Sequence, residues 1–410
     1  MKGKVIVAGG GIIGLFSAYY LHRLGYQVLV VDKSDLSDSC SYGNAGLIVP
    51  SHIVPLASPG MVSTAMKHLL NSKAPVGIKM PPSLDFLQWS LRFLKTANRQ
   101  FVRESSVVLR DLTSFSQSLY QHLAKEGEFP FQLNEKGLLM VCQTRQMMKE
   151  EAEIAHLAND LGVTANELSG DELRNMEPSL SENIQGGVYY PGDGNVVPPE
   201  LMKNLITWLE QSGVIFLRNS SLTFIGKDNT VVINNKEYDF DALVISAGIW
   251  SNELLKLVGH KVPLQPGRGY SFELLNNAAI SYPALLVDDR ISVTPFNGDV
   301  TRFGGVMELG YSSHRVTEKR FGAMVRSIQR NYPPLPLIKE ETLNVWSGHR
   351  PCSFDGLPYI GQIPGRERIF LATGHSMLGI TLAPATGKLI SELVDGQQLS
   401  LNLHPFRINR

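Results

Sequence analysis

The chain has 410 residues, and its 38 basic and 38 acidic side chains cancel to a formal charge of zero, so it lacks the field that steers a protein onto nucleic acid. At roughly 100 to 200 residues per domain the length predicts two or three structural units, and 43% hydrophobic with 19% charged residues excludes wholesale disorder and collagen-like or coiled-coil rods. Cys40, Cys142 and Cys352 lie far apart with no CxxC pair, which leaves no disulfide framework or cysteine zinc site to draw, predicts no metal, and fits a reducing compartment.

The opening MKGKVIVAGGGIIGLFSAYYL has two lysines and an apolar run. Three consecutive glycines interrupt that run and no small-residue cleavage pattern follows, so it reads as folded chain and not as a secretion signal. Residues 4–8 predict a strand rich in β-branched side chains, 12–24 a helix ended by Gly25, and 28–31 a second buried strand closing on Asp32. Together they form a βαβ unit that begins a parallel sheet. Prolines at 55, 59, 75, 81 and 82 make 51–82 an irregular excursion. Between 84 and about 126, after a Ser83 cap, apolar residues recur at helical spacing (Leu84, Leu87, Leu91, Leu94), with Arg92, Lys95, Arg99 and Arg103 on other faces. This predicts one or two long amphipathic helices whose basic face is either solvated or a membrane-docking surface.

Further along, 137–141 reads as a strand, 147–161 as a helix and 187–190 as a strand. The pattern continues with a helix over 200–212, a strand over 214–217, a hairpin-like pair at 230–234 and 238, and a buried strand over 242–246. Alternation from 263 to 338 predicts an antiparallel sheet. The tail repeats strand (369–372), glycine turn (373–379) and helix, with Pro384 placed near the first turn. No stretch reaches the roughly 18 to 20 uninterrupted apolar residues of a bilayer span. The fold class is therefore α/β, with an α+β second domain assembled from discontinuous pieces.

Gly9, Gly11 and Gly14 satisfy GxGxxG between a strand and a helix, a context in which the first glycine allows a sharp turn, the second lets a pyrophosphate approach and the third permits close helix packing. Asp32 follows at the end of the second strand, where a carboxylate accepts hydrogen bonds from ribose hydroxyls and repels a 2′-phosphate. A dinucleotide other than NADP is predicted. The fingerprint leaves NAD and FAD open, but SCSYGNAGLI from Ser39 offers a narrow, donor-rich loop suited to a flat polar ring. ATGHSMLGITLAPATG then begins a helix whose positive end can stabilise a reduced flavin.

These segments, with NSKAPVGIKM, YPGDGNVVPPEL, VISAGIWSNELLKLVG, PGRGYSFEL and GHRPCSFDGLPYIG, resemble the D-amino-acid oxidase superfamily of FAD enzymes, specifically its small bacterial-type D-amino-acid dehydrogenases and D-hydroxyproline dehydrogenases. The resemblance implies a Rossmann-like FAD-binding domain (1–60, 193–262 and 343–410) and a discontinuous antiparallel-sheet substrate domain (61–192 and 263–342). Gly9, Gly11, Gly14, Asp32 and Lys33 would hold the adenosine pyrophosphate half. Ser41, Asn44, Ala45, Gly46 and Leu47 would line the flavin, and Leu222 would lie near the adenine. Ala247, Gly248 and Trp250 would close over the phosphates. His375, Met377, Leu378, Gly379, Ile380 and Thr381 would run under the pyrimidine end. Arg350, in GHRP, matches the arginine that clamps the substrate carboxylate, for which a planar fork is well shaped; Tyr270 and His52 are candidate walls of the substrate pocket. Met377 and Ser292 stand where similar glycine oxidases carry an arginine and a tyrosine, and Gly348 stands where covalent sarcosine-type oxidases carry their flavin-linking cysteine. Non-covalent FAD is therefore expected.

The expected activity is oxidative deamination of a D-amino acid, or of a cyclic D-imino acid such as D-proline or hydroxy-D-proline, by hydride transfer from Cα to flavin N5. With one dinucleotide fingerprint there is no seat for a pyridine nucleotide, so electrons would pass to a quinone or carrier. The alternatives are a flavin subunit of a larger electron-transfer dehydrogenase, or a glycine/sarcosine-type oxidase using oxygen. Partners would be the amino-acid substrate and the acceptor, with no nucleic acid; membrane contact and a homo- or hetero-oligomer stay open. The location expected is cytoplasmic, or peripheral on the inner face of the membrane.

Overall fold

The computed structural model describes residues 2–68, 71, 73–79, 81–275, 280–296, 300–311 and 313–410; Ser72 and Met80 of the NSKAPVGIKM segment fall outside it. The β-branched run Lys4–Ala8 is the middle of a six-stranded sheet ordered Tyr359–Ile363, Arg366–Thr373, Ala242–Ile245, Lys4–Ala8, Gln27–Val31, Ile215–Leu217. Its inner junctions are parallel and the Tyr359–Ile363 edge is antiparallel. Val5 and Val7 pack into one core while Ile6 and Ala8 pack into another on the opposite face. Burial on both faces is why this strand reads as an unbroken apolar run.

One face carries the first helix, Ile12–Arg23, and the closing helix, Gly379–Asp395. Gly14 brings the first helix hard against the strand: a Cβ there would lie 1.8 Å from the Gly9 carbonyl oxygen. Pro384 lies inside the closing helix and not near its first turn. Lacking an N–H, it leaves the Ile380 carbonyl without its helical donor; the Tyr120 hydroxyl donates to that oxygen at 2.8 Å. A long helix from elsewhere in the chain thus completes the interrupted ladder.

The second large sheet is ordered Trp346–Ser353, Leu264–Leu275, Val300–Leu309, Ile291–Phe296, Ala284–Leu286, Leu138–Cys142, Gly186–Tyr190, Asn166–Ser169, with Val76–Ile78 added beside Val300–Leu309. Most junctions are antiparallel, but Ala284–Leu286 pairs in parallel with Leu138–Cys142, and Val76–Ile78 with Val300–Leu309. The sheet is therefore mixed where alternation alone predicted an antiparallel one. Trp346–Ser353, counted with the nucleotide side in the sequence reading, pairs with Leu264–Leu275. A helix, Glu318–Asn331, also lies inside the alternating stretch and packs Phe321, Met324, Val325 and Ile328 onto this sheet.

The basic amphipathic region divides into helices Leu84–Thr96 and Arg99–Glu126, started by the side chains of Ser83 and Asn98. The first buries Phe86, Trp89 and Phe93. The leucines taken from periodicity as its apolar face are turned to solvent instead. Among the described residues no helix is long and apolar enough to cross a membrane.

Candidate functional site

A cleft of about 970 Å³ runs between the two sheets, near the upper end of ordinary ligand cavities. Gly9 begins it: with φ +114 it turns the chain from strand to helix, and a Cβ there would strike the backbone of Ser246 and Ala247. Asp32 stabilises this turn, its Oδ2 accepting from the Gly10 N–H at 2.7 Å while Oδ1 accepts from the Ser34 N–H and hydroxyl, each at 2.8 Å. A carboxylate has about four acceptor positions, two on each oxygen, so Oδ2, with one donor, keeps capacity for a ribose hydroxyl. The Lys33 ammonium lies 3.9 Å from the Trp250 ring centroid, and both residues line the cleft.

Two helix starts open into this space. Gly11 caps the first helix and Leu378 the closing one, neither bonding the helix amides through its own side chain, although the Ile12 N–H donates to Ser41 Oγ at 3.2 Å. Gly248 and Gly379 line the cleft and have no atom within 4 Å of where a Cβ would stand, and at Gly11 that position meets only Ser41 Oγ, at 3.7 Å. Bare backbone facing open space at helix N-termini is what an anionic, closely approaching ligand needs.

The SYGNAG loop and the Leu47 that follows it are held from the second sheet, the closing helix and the segment after Asn195. Arg302 donates through Nη1 to the carbonyls of Tyr42 (2.6 Å) and Asn44 (2.7 Å), and Ser271 donates to the Gly43 carbonyl at 2.9 Å. The Thr381 hydroxyl donates to the Leu47 carbonyl at 2.8 Å, and the Val196 N–H to the Gly46 carbonyl at 2.8 Å. Sequence reasoning missed Arg302 and Ser271, which no local motif marks. Trp346 was missed as well: its ring fills space left by Gly43 and Gly348, where a Cβ would lie 2.1 and 2.0 Å from it.

Arg350 sits in the same cleft on the strand Trp346–Ser353. Its Nη1 donates to the Val306 carbonyl at 3.0 Å, and none of the ion pairs among the described residues includes it. Burial pushes its pKa below the ordinary arginine value. A guanidinium taken partly out of water without a carboxylate partner favours binding one. Val306, which fixes it, is a β-branched residue at φ +63 in an irregularity of the Leu264–Leu275 pairing. Such backbone is retained only where the surroundings impose it.

Of the predicted cofactor residues, Gly9, Gly11, Asp32, Lys33, Ser41, Asn44, Leu222, Ala247, Gly248, Trp250, His375, Gly379 and Ile380 line the cleft. Gly14, Ala45, Gly46, Leu47, Leu378 and Thr381 stand behind that lining, and Met377 is 46% exposed. His375 directs Nε2 to the Thr386 hydroxyl at 2.9 Å, and burial pushes its pKa down to about 3, so it is neutral.

Tyr270 and His52 are not walls of this cleft. The register pairs Gly269 with Gly348 and Tyr270 with Ser347, so alternation turns Tyr270 away from the face carrying Arg350. Its hydroxyl donates to Glu308 and accepts from the Thr317 N–H at 2.9 Å. His52 lies beside Ser51, whose hydroxyl contacts its Nδ1 at 3.3 Å and donates to the buried Asp193 carboxylate. Burial pushes His52 down to about 4 and Asp193 up to about 7.

Comparison with known proteins agrees with this geometry. The family model described as FAD dependent oxidoreductase matches residues 4–393. A D-amino acid dehydrogenase of Helicobacter pylori is 30% identical over 399 residues, covering 96% of this chain and 95% of the relative. One from Vibrio atlanticus is 29% identical over 419 residues, covering 99% of each. Among solved structures, glycine oxidase of Geobacillus kaustophilus superposes with a TM-score of 0.79 at 22% identity, covering 100% of this chain and 98% of that one; L-proline dehydrogenase of P. horikoshii gives 0.73 at 18%, covering 100% of this chain and 97% of that one. With the glycine cradle, the two helix starts that open into the cleft and a family match running through nearly the whole length, the chain belongs to the FAD dependent oxidoreductases of the D-amino-acid oxidase type.

Proposed function

We propose that the protein is a D-amino-acid dehydrogenase that oxidises a D-amino acid or a cyclic D-imino acid and delivers the electrons to a quinone or carrier. The carrying observation is Arg350, a guanidinium in the cleft that enters no ion pair among the described residues and is fixed by the Val306 carbonyl. The relatives' D-amino acid dehydrogenase names favour the same substrate class. In this reading Gly9, Gly11 and Asp32 hold the adenosine pyrophosphate, the 39–47 loop and the start of the closing helix hold the flavin, and the division into FAD and substrate domains follows the two sheets except at Trp346–Ser353, which joins the substrate sheet.

When bound, FAD supplies the hydride acceptor. Arg350 grips the carboxylate and thereby orients Cα. The amides at the start of the closing helix would favour negative charge on a flavin ring held beside them. His375, neutral and bonded to Thr386, serves that turn and is not a proton acceptor for the substrate. Non-covalent attachment is favoured by position 348, where Gly348 leaves room for the Trp346 ring and none for a linking side chain.

The test is anaerobic titration of the purified yellow protein with a panel of D- and L-amino acids including D-proline and cis-4-hydroxy-D-proline, followed by turnover with an artificial dye acceptor. Bleaching by D-enantiomers and dye-coupled turnover support the reading. Bleaching by L-enantiomers alone, or a colourless protein reduced only by NADH, overturns it.

A further inference from the structure

We propose that helix Leu84–Thr96 docks the protein on an anionic lipid bilayer. The helix is apolar on two opposite sides. Phe86, Trp89 and Phe93 face inward, stacked in series, and the Trp89 indole N–H donates to the Cys352 carbonyl at 3.1 Å. That anchoring, with the Ser83 cap, fixes the rotation of the helix, so the opposite side must present Leu84, Leu87, Leu91 and Leu94. Their exposures are 75%, 53%, 59% and 56%. Single exposed leucines are ordinary, whereas a continuous ridge marks a surface that meets something apolar.

The charges beside the ridge select the occupant. Arg92 and Lys95 flank it, and Arg99 and Arg103 follow at the start of the next helix, all exposed. Of the nearby carboxylates, Asp85 is paired with Lys261 and Glu104 accepts from Gln100. A second copy of this chain meeting ridge to ridge would place the same cations against each other. An anionic lipid surface complements them, and an apolar ridge with a basic rim supplies the two signals that interfacial attachment requires. The ridge lies behind the strand bearing Arg350, since Trp89 bonds to Cys352 two residues along. Docking would therefore hold the catalytic sheet close to a membrane-dissolved acceptor, and this connection alone rests on the function proposed above.

The experiment is flotation of the FAD-loaded full chain with vesicles of 70% dioleoylphosphatidylcholine and 30% dioleoylphosphatidylglycerol, a composition chosen to be about one-third anionic, against pure phosphatidylcholine and against high salt, which screens such attraction. The expected result is co-flotation with the anionic vesicles that weakens at high salt and falls about tenfold or more in a variant combining Leu84→Ser, Leu87→Ser, Leu91→Ser and Leu94→Ser, and in a separate Arg92→Glu, Lys95→Glu variant. Both variants should keep the flavin spectrum and dye-coupled turnover. No flotation of the parent, undiminished flotation of both variants, or conversion of a dimer to a monomer by the serine variant would overturn the proposal. Flotation without turnover on any D-amino acid counts against the substrate assignment and leaves the docking intact.

Discussion

Arg350 and Tyr270 lie on neighbouring strands, yet their roles separate by the parity of one register. Arg350→Met should lower kcat/KM for D-amino acids by roughly 30- to 5000-fold, the consequence of losing about 2 to 5 kcal/mol from a desolvated charge pair. Arg350→Lys should fall between, because it keeps the charge without the fork; steady-state kinetics at unchanged flavin absorbance checks both. Tyr270→Phe should leave kcat/KM within twofold and lower stability by about 1 to 3 kcal/mol, read in a thermal melt, since Glu308 loses a buried donor. Asp193 has a different signature. Its folded pKa of about 7 lies above the ordinary 3.8, so ionising it costs the fold, and its contribution to stability declines as pH rises from about 4 through 7. The Tm of Asp193→Asn relative to the parent should therefore climb across that window. A constant difference would show that Asp193 does not titrate there. His52, held neutral, acts in the opposite sense, losing stability as pH falls from 6.5 towards about 4, so the parent-to-variant difference is the quantity to follow.

At the level of elements, the closing helix depends on a donor it does not own. Tyr120→Phe should cost about 1 to 3 kcal/mol by leaving the Ile380 carbonyl without its hydroxyl partner, and the perturbation should appear as faster amide exchange in the turn that faces the cleft. The βαβ unit and its cradle were legible in the sequence because their signals are contiguous: strand, glycines, helix and Asp32 fall within one short segment. GHRP was legible for the same reason. What escaped depends on contacts between distant segments. Two apolar series share the helix Leu84–Thr96, and periodicity finds both without saying which is inward; the aromatic set won because Phe86, Trp89 and Phe93 fill a deep core. Helix Glu318–Asn331 was hidden within strand-like surroundings, although Phe321, Met324, Val325 and Ile328 carry its spacing. The parity that turns Tyr270 away, and the reach of Arg302 to the loop carbonyls, exist only once strands are paired.

For the whole molecule, the cleft draws its lining from both sheets, so a ligand seated in it joins them. Removal of FAD should lower the melting temperature, and free FAD at about a hundredfold its Kd should restore about 2.7 kcal/mol; a melt insensitive to added FAD would show that the cleft does not take it. The substitution pattern open to the protein is constrained at the same place. Gly43 belongs to the loop after the first βαβ unit, Gly348 to a strand more than three hundred positions later, and the Trp346 ring occupies the volume both leave open. Bulk can therefore be traded among these three positions but not added at one alone. A homologue that acquires a side chain at either glycine must surrender its indole, and an engineer wishing to tether the flavin through position 348 would have to remove Trp346 first.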